Sequence, residues 1–133
     1  MTVSRPARQG DRHRSERASL VTGSSRPRPG VLVITVRGEL DLSTEPLLEA
    51  AVRAATTDPA TTVLVCDLSG VTFMSCGTLS ILVRARGDLR ERSAGLRVVA
   101  KHPGVVRVFT ITGMAEALDL RPDLATACQP PSS

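Results

Sequence analysis

The chain has 133 residues, 41% of them hydrophobic but with only Phe73 and Phe109 aromatic, and a formal net charge of +4. That length suits one domain with an aliphatic core, and no run approaches the roughly 18 apolar residues of a membrane-spanning helix. The first residues carry arginines but no apolar segment, so no secretory signal peptide is expected.

The basic charge is local. Residues 1–30 hold seven arginines against Asp11 and Glu16, while residues 31–133 hold ten basic and eleven acidic side chains. Residues 1–17 show no apolar periodicity and are expected to form a disordered basic tail. No aromatics interleave with these arginines, so direct nucleic-acid binding is not expected. Cys66, Cys76 and Cys128 form neither an even framework nor a CxxC pair, which suits reduced thiols in a cytoplasmic protein.

The domain proper is expected over residues 18–128, with 129–133 a flexible C-terminus. Residues 18–22 suit a short edge strand, and 23–30, with Pro27 and Pro29, a loop. Val31–Val36 is nearly continuous in β-branched residues, as in a strand covered on both faces. Gly38–Thr44 then leaves that strand and opens a helix. Ser43 or Thr44 can cap it, Glu45 suits its positive end, and Pro46 is tolerated in its first turn. Leu47, Leu48, Ala51, Val52 and Ala55 are expected to mark its buried face.

Val63–Val65 reads as a buried strand, followed by a turn at Asp67, Ser69 and Gly70 and a second apolar group at Val71, Phe73 and Met74. The polar turn Ser75-Cys76-Gly77-Thr78 precedes a helix running to about Ser93, with Leu79, Leu82, Val83 and Leu89 on one face and Gly95 as its stop. Leu96–Ala100 is a further strand. His102-Pro103-Gly104 opens a short helix with Val105, Val106, Phe109 and Ile111 as its apolar residues. Glu116–Leu120 suits a last short strand and Leu124–Cys128 a brief final helix. Alternating strands and helices predict an α/β domain with a mixed, mostly parallel sheet of four to five strands.

Catalytic chemistry is hard to assemble from these residues. His13 lies in the tail, and His102 stands alone before a proline. No Walker loop, dinucleotide fingerprint or nucleophile elbow is present, and the cysteines have no histidine at metal spacing. No enzyme activity, cofactor or metal is expected. The 75–78 turn remains. A hydroxyl at a helix start is a cap or a phosphoacceptor, and a thiol there is a packed side chain or a reactive one.

Gly38-Glu39-Leu40-Asp41-Leu42-Ser43-Thr44 with Pro46, followed by Asp67-Leu68-Ser69-Gly70-Val71-Thr72-Phe73-Met74, resembles the STAS domain of anti-sigma factor antagonists over about residues 31–120. The resemblance implies a small sheet packed against helices on one side. It also implies a non-enzymatic protein that binds a serine-kinase anti-sigma factor and so frees a sigma factor. The kinase of such systems phosphorylates a serine at the start of the second helix, which breaks the complex. In the family this serine follows an aspartate. Aligned on Phe73, Met74 and Leu79, the aspartate position here is Ser75. Cys76 takes the phosphoserine position, Gly77 the next hydroxyl position, and Thr78 the glycine position.

The implied docking surface comprises Asp41, Ser43, Thr44, Ser75, Cys76, Gly77 and Thr78. Ser75 and Thr78 are the remaining phosphoacceptor candidates. A shift of one residue at a helix start turns a side chain by about 100°, so Cys76 is expected to remove the standard switch. Asp41 either meets a basic group on the partner or uses its carboxylate locally in the turn. Two other readings stay open: a STAS-like scaffold module of a larger signalling complex, and a thiol redox sensor built on Cys76. A monomer or weak dimer without membrane contact is expected.

Overall fold

A computed structural model describes residues 20–129. The expected basic tail over residues 1–17 lies outside the described residues, as does most of the expected flexible C-terminus. Five strands form one sheet in the order β1-β2-β3-β4-β5: β1 (Leu20–Arg28), β2 (Val31–Leu40), β3 (Val63–Met74), β4 (Gly95–Val99) and β5 (Leu120–Arg121). β1 pairs antiparallel with β2, and every other neighbour is parallel. The connections carry α1 (Glu45–Thr56), α2 (Gly77–Arg90), α3 (Pro103–Ile111) and α4 (Met114–Ala117), and α5 (Leu124–Ala127) follows β5.

One face of the sheet holds the main core. Leu32, Ile34 and Val36 of β2 and Leu64 and Cys66 of β3 pack there with Leu48 and Val52 of α1, Leu82 and Leu89 of α2, and Phe109 of α3. The other face is smaller: Val31, Val33, Val65 and Val99 cluster with Ala127 of α5. β2 therefore buries both of its faces, which is why it reads as an unbroken apolar run. Cys66 and Cys128 lie on opposite faces, so the sheet separates them.

Arg97, a buried side chain of β4, fastens α5 to this second face. Its guanidinium donates to the carbonyls of Ala127 (2.8 Å) and Gln129. Arg97→Ala removes both bonds and the packed stem. A loss of about 2–3 kcal/mol is expected, read from urea unfolding, with earlier proteolytic cleavage around α5.

Several expectations about elements need correction. The region 23–30 is not a loop, because β1 runs to Arg28. Its side chains are exposed beyond Leu20, and its order comes from backbone pairing to β2, supplemented by Arg26, which pairs with Asp58 just beyond α1. Asp67–Gly70 is not a turn. β3 runs through it, and the turn-forming residues mark a bulge where β3 gains one residue on β2 between the pairs Thr35↔Asp67 and Arg37↔Gly70. A second bulge follows between Gly38↔Val71 and Glu39↔Phe73, with Gly38 at φ 118. Leu47, Val83 and Ile111, placed on buried faces by periodicity, are exposed at 51%, 44% and 72%. α2 ends at Arg90, and the left-handed residue after it is Ser93 rather than Gly95, which opens β4. Residues 116–119 are not strand: α4 occupies Met114–Ala117, and only two residues of β5 pair with β4.

Candidate functional site

Parallel pairing places the loops after β2 and β3 side by side. The last pair of the ladder is Leu40↔Met74, and the Ser75 amide donates to the Leu40 carbonyl at 2.9 Å. The two segments that carry the sequence motifs, 41–44 and 75–78, therefore meet at the carboxyl ends of adjacent strands. In open parallel sheets function gathers at this edge.

The 41–44 loop is held by its own side chains. Asp41 Oδ1 accepts from the Ser43 amide (3.0 Å), the Ser43 hydroxyl (2.8 Å) and the Thr44 amide (3.1 Å). Thr44 is buried, and its hydroxyl donates to the Glu39 carbonyl at 2.7 Å. Neither Ser43 nor Thr44 caps α1 with its hydroxyl. Thr44 occupies the N-cap without a side-chain capping bond to the helix, and the Asp41 carboxylate gathers the loop amides instead. Asp41 thus performs the local turn role, while its second oxygen takes part in none of these bonds.

The Ser43 hydroxyl, foremost, and the loop amides hold the Asp41 carboxyl below its ordinary value of 3.8. Backbone and side-chain bonds from Thr126 do the same for Asp123. The unfolded chain then binds more protons than the folded one in acid. Stability from these groups is complete above about pH 4 and falls as pH drops through their lowered values. Asp41→Asn keeps the accepting oxygen but loses the charge, so at neutral pH it should melt between the unmodified chain and Asp41→Ala, and the gap to the unmodified chain should close in acid. A calorimetric comparison of the two separates the turn role from the charge.

The 75–78 turn starts α2 with Cys76 as N-cap, which makes no side-chain cap bond. Cys76 and Gly77 are exposed and Ser75 is half-buried. Thr78 is completely buried, and its hydroxyl finds no hydrogen-bond partner. The Ser75 hydroxyl donates to Glu45 Oε2 of α1. A Cβ on Gly77 would stand 2.8 Å from that same oxygen, so the Glu45 carboxylate lies directly over the start of α2.

Apolar side chains share this end of the molecule. Leu42 is 84% exposed in the first loop, and Phe73 is 51% exposed at the end of β3. The sequence offered Val71, Phe73 and Met74 as one apolar group without separating inward from outward side chains. The two bulges shift the inside–outside alternation, and Met74 takes the buried place. Leu42, set between turn-forming residues, carried the one available signal of a solvent-facing leucine.

Elsewhere, His102 is a cap rather than a base: its Nδ1 accepts from the Gly104 amide at 3.1 Å. Among the described residues, no group of three or more His, Cys, Asp or Glu side chains is placed to hold a metal ion, and no helix is long and apolar enough to cross a membrane. Burial pushes the Cys66 thiol up to about 12, whereas Cys76 is exposed. In a thiol titration of the native chain Cys76 should react readily, and Cys66 only after unfolding. Rapid reaction at Cys66 would contradict its burial.

This geometry defines an α/β module whose two motif loops converge beyond the ends of parallel strands. A family model for the STAS domain matches residues 24–127. The chain belongs to the STAS domain family. It is 29% identical over 97 residues to the anti-sigma-F factor antagonist RsfA of Mycobacterium tuberculosis, covering 72% of this chain and 76% of that protein. The crystal structure of an anti-sigma factor antagonist from Mycobacterium paratuberculosis superposes with a TM-score of 0.75 and 36% identity, covering 82% of this chain and 91% of that one. The unphosphorylated form of the anti-sigma factor antagonist SpoIIAA shares the fold, with a TM-score of 0.67 at 17% identity over 80% of this chain and 92% of that one.

Proposed function

We propose that this chain is an anti-sigma factor antagonist that binds an anti-sigma factor of the serine-kinase type and thereby releases a sigma factor. The observation that carries the reading is the pairing of the two motif loops, with Leu42 and Phe73 exposed beside them. Solvent-facing leucine and phenylalanine next to small polar groups are the composition of a protein-docking surface. The family and the antagonists resembling this chain support the same reading.

Within that surface, Asp41, Ser43, Ser75, Cys76 and Gly77 are the parts a partner can reach. Thr44 and Thr78 are buried and act by shaping the loops. Cys76 stands where the family resemblance expects the phosphorylated serine, and a thiol does not replace a hydroxyl as acceptor. Burial removes Thr78 as an alternative, which leaves Ser75. The antagonist is therefore insensitive to the standard phosphorylation.

Affinity capture with the tagged chain from its native lysate, followed by mass spectrometry, tests the reading. Recovery of a small ATP-binding serine-kinase protein, with no phosphate on the peptide spanning residues 71–84, supports it. Recovery of large sensor assemblies without such a kinase would replace it with the scaffold reading.

A further inference from the structure

A cavity of about 450 Å³ opens at the carboxyl ends of β4 and β5, beside α3. Ala100, Val106, Leu120 and Pro122 form its apolar walls, and Lys101 and Arg121 supply its cations. The cavity exists because the sheet stops short. β5 pairs with β4 only at Val98↔Leu120 and Val99↔Arg121. The next pair would join Ala100 to Pro122, whose nitrogen has no hydrogen to extend the ladder. Ala100 adds only a methyl group, so the space beside Val106 stays open. Val106, Leu120 and Pro122 are half-buried and show apolar surface there.

The two cations differ. Arg121 is committed to the fold: its guanidinium donates to both oxygens of Asp119, at 2.7 and 3.1 Å, and to the Thr126 carbonyl at 2.9 Å. Lys101 is exposed and enters no ion pair among the described residues. It directly precedes His102, the N-cap of α3, and that helix has no acidic residue in its first turn. The positive end of α3 therefore adds to the lysine charge. Asp123 is the acidic group that feels this charge. Its carboxyl is lowered first by bonds from Thr126 and further by Lys101, and its Oδ1 is held by the Thr126 amide at 2.8 Å.

We propose that this cavity binds a small aliphatic carboxylate, with its chain on the apolar walls and its head group on Lys101. The volume falls within the roughly 300–1,000 Å³ of small-molecule sites, and an apolar lining with few polar groups is their usual composition. The walls select an aliphatic chain by removing it from water. An ammonium without a carboxylate partner, next to a helix start, selects a negative head. A cationic head would be repelled, and a neutral one would leave Lys101 without a counter-charge. The cavity lies on β4, β5 and α3, apart from the loops after β2 and β3, so it does not rest on the antagonist reading.

The test titrates decanoate, below its micelle concentration, into the full-length chain and follows the amide chemical shifts. Saturable shifts centred on residues 100–106 and 120–123 are expected. Acetate carries the head alone, and decylamine carries the opposite charge on the same chain. Each should bind about tenfold more weakly or worse. Lys101→Gln changes an exposed side chain, so the fold should persist while decanoate binding weakens about tenfold. Added salt should weaken binding to the unmodified chain and change the variant little. Val106→Trp fills the cavity and should abolish binding. If that variant does not fold, the decanoate–decylamine comparison and Lys101→Gln decide the matter. Absence of saturable decanoate binding overturns the proposal. So do shifts that map elsewhere, equal affinity for acetate or decylamine, or unchanged affinity in Lys101→Gln.

Discussion

Leu42→Asp and Phe73→Asp should each abolish capture of the anti-sigma factor while leaving the fold unchanged. Both side chains are largely exposed at the motif end of the sheet, at 84% and 51%. Neither contributes its whole surface to the core, so substitution should alter stability by no more than about 0.5 kcal/mol. In a docking face, by contrast, burying such groups supplies much of the affinity. Truncating a central one costs about 2 kcal/mol or more, and a carboxylate in its place adds a desolvation penalty. A loss of about 30-fold or more per site is therefore expected, measured by titration calorimetry against the captured partner. Unchanged melting with lost binding assigns the two residues to the interface. Unchanged binding in both variants would move the docking surface elsewhere.

Phe109→Ala should produce the largest loss of stability. Phe109 is the largest of the fully buried side chains, and it anchors α3 in the main core. The chain has only two phenylalanines and no tryptophan or tyrosine, so no other aromatic is at hand to fill the space. Removing a buried phenylalanine costs about 3–5 kcal/mol, through lost transfer energy and the cavity left behind. Against a total stability of about 5–15 kcal/mol, that is a large fraction. The urea midpoint should fall steeply with little change in slope. A near-unchanged midpoint would mean that α3 contributes little to the core.

What the sequence made legible follows from where side chains carry the structural information. β2 and the first half of β3 are dense in buried β-branched residues, and the alternation with helical periods predicted the parallel sheet. The two motif loops were found because they resemble a family pattern and because turn residues cluster there. β1 was cut short because its order lies in backbone bonds to β2, while its side chains face solvent. β3 was broken in two because Asp67, Ser69 and Gly70 have turn chemistry, which here serves a bulge. In that bulge Asp67 Oδ1 accepts from the Ser69 amide at 3.1 Å.

The same limit applied to the site. The family resemblance singled out Asp41, Ser75 and Cys76, but it could not show that Thr44 and Thr78 point inward. Nor could it bring Glu45 to Ser75, thirty residues away. That contact exists only because parallel pairing of β2 and β3 sets two helix starts beside each other. Phe73 escaped notice for a related reason: a bulge that adds one residue also exchanges inside for outside.

The most direct measurement is a release assay. The captured anti-sigma factor is loaded with its sigma factor, and increasing amounts of the unmodified chain or its Phe73→Asp variant are added. Sigma factor should be released in proportion to the unmodified chain and retained with the variant. Retention of sigma factor at saturating amounts of the unmodified chain, or equal release by the variant, would contradict antagonism through this face.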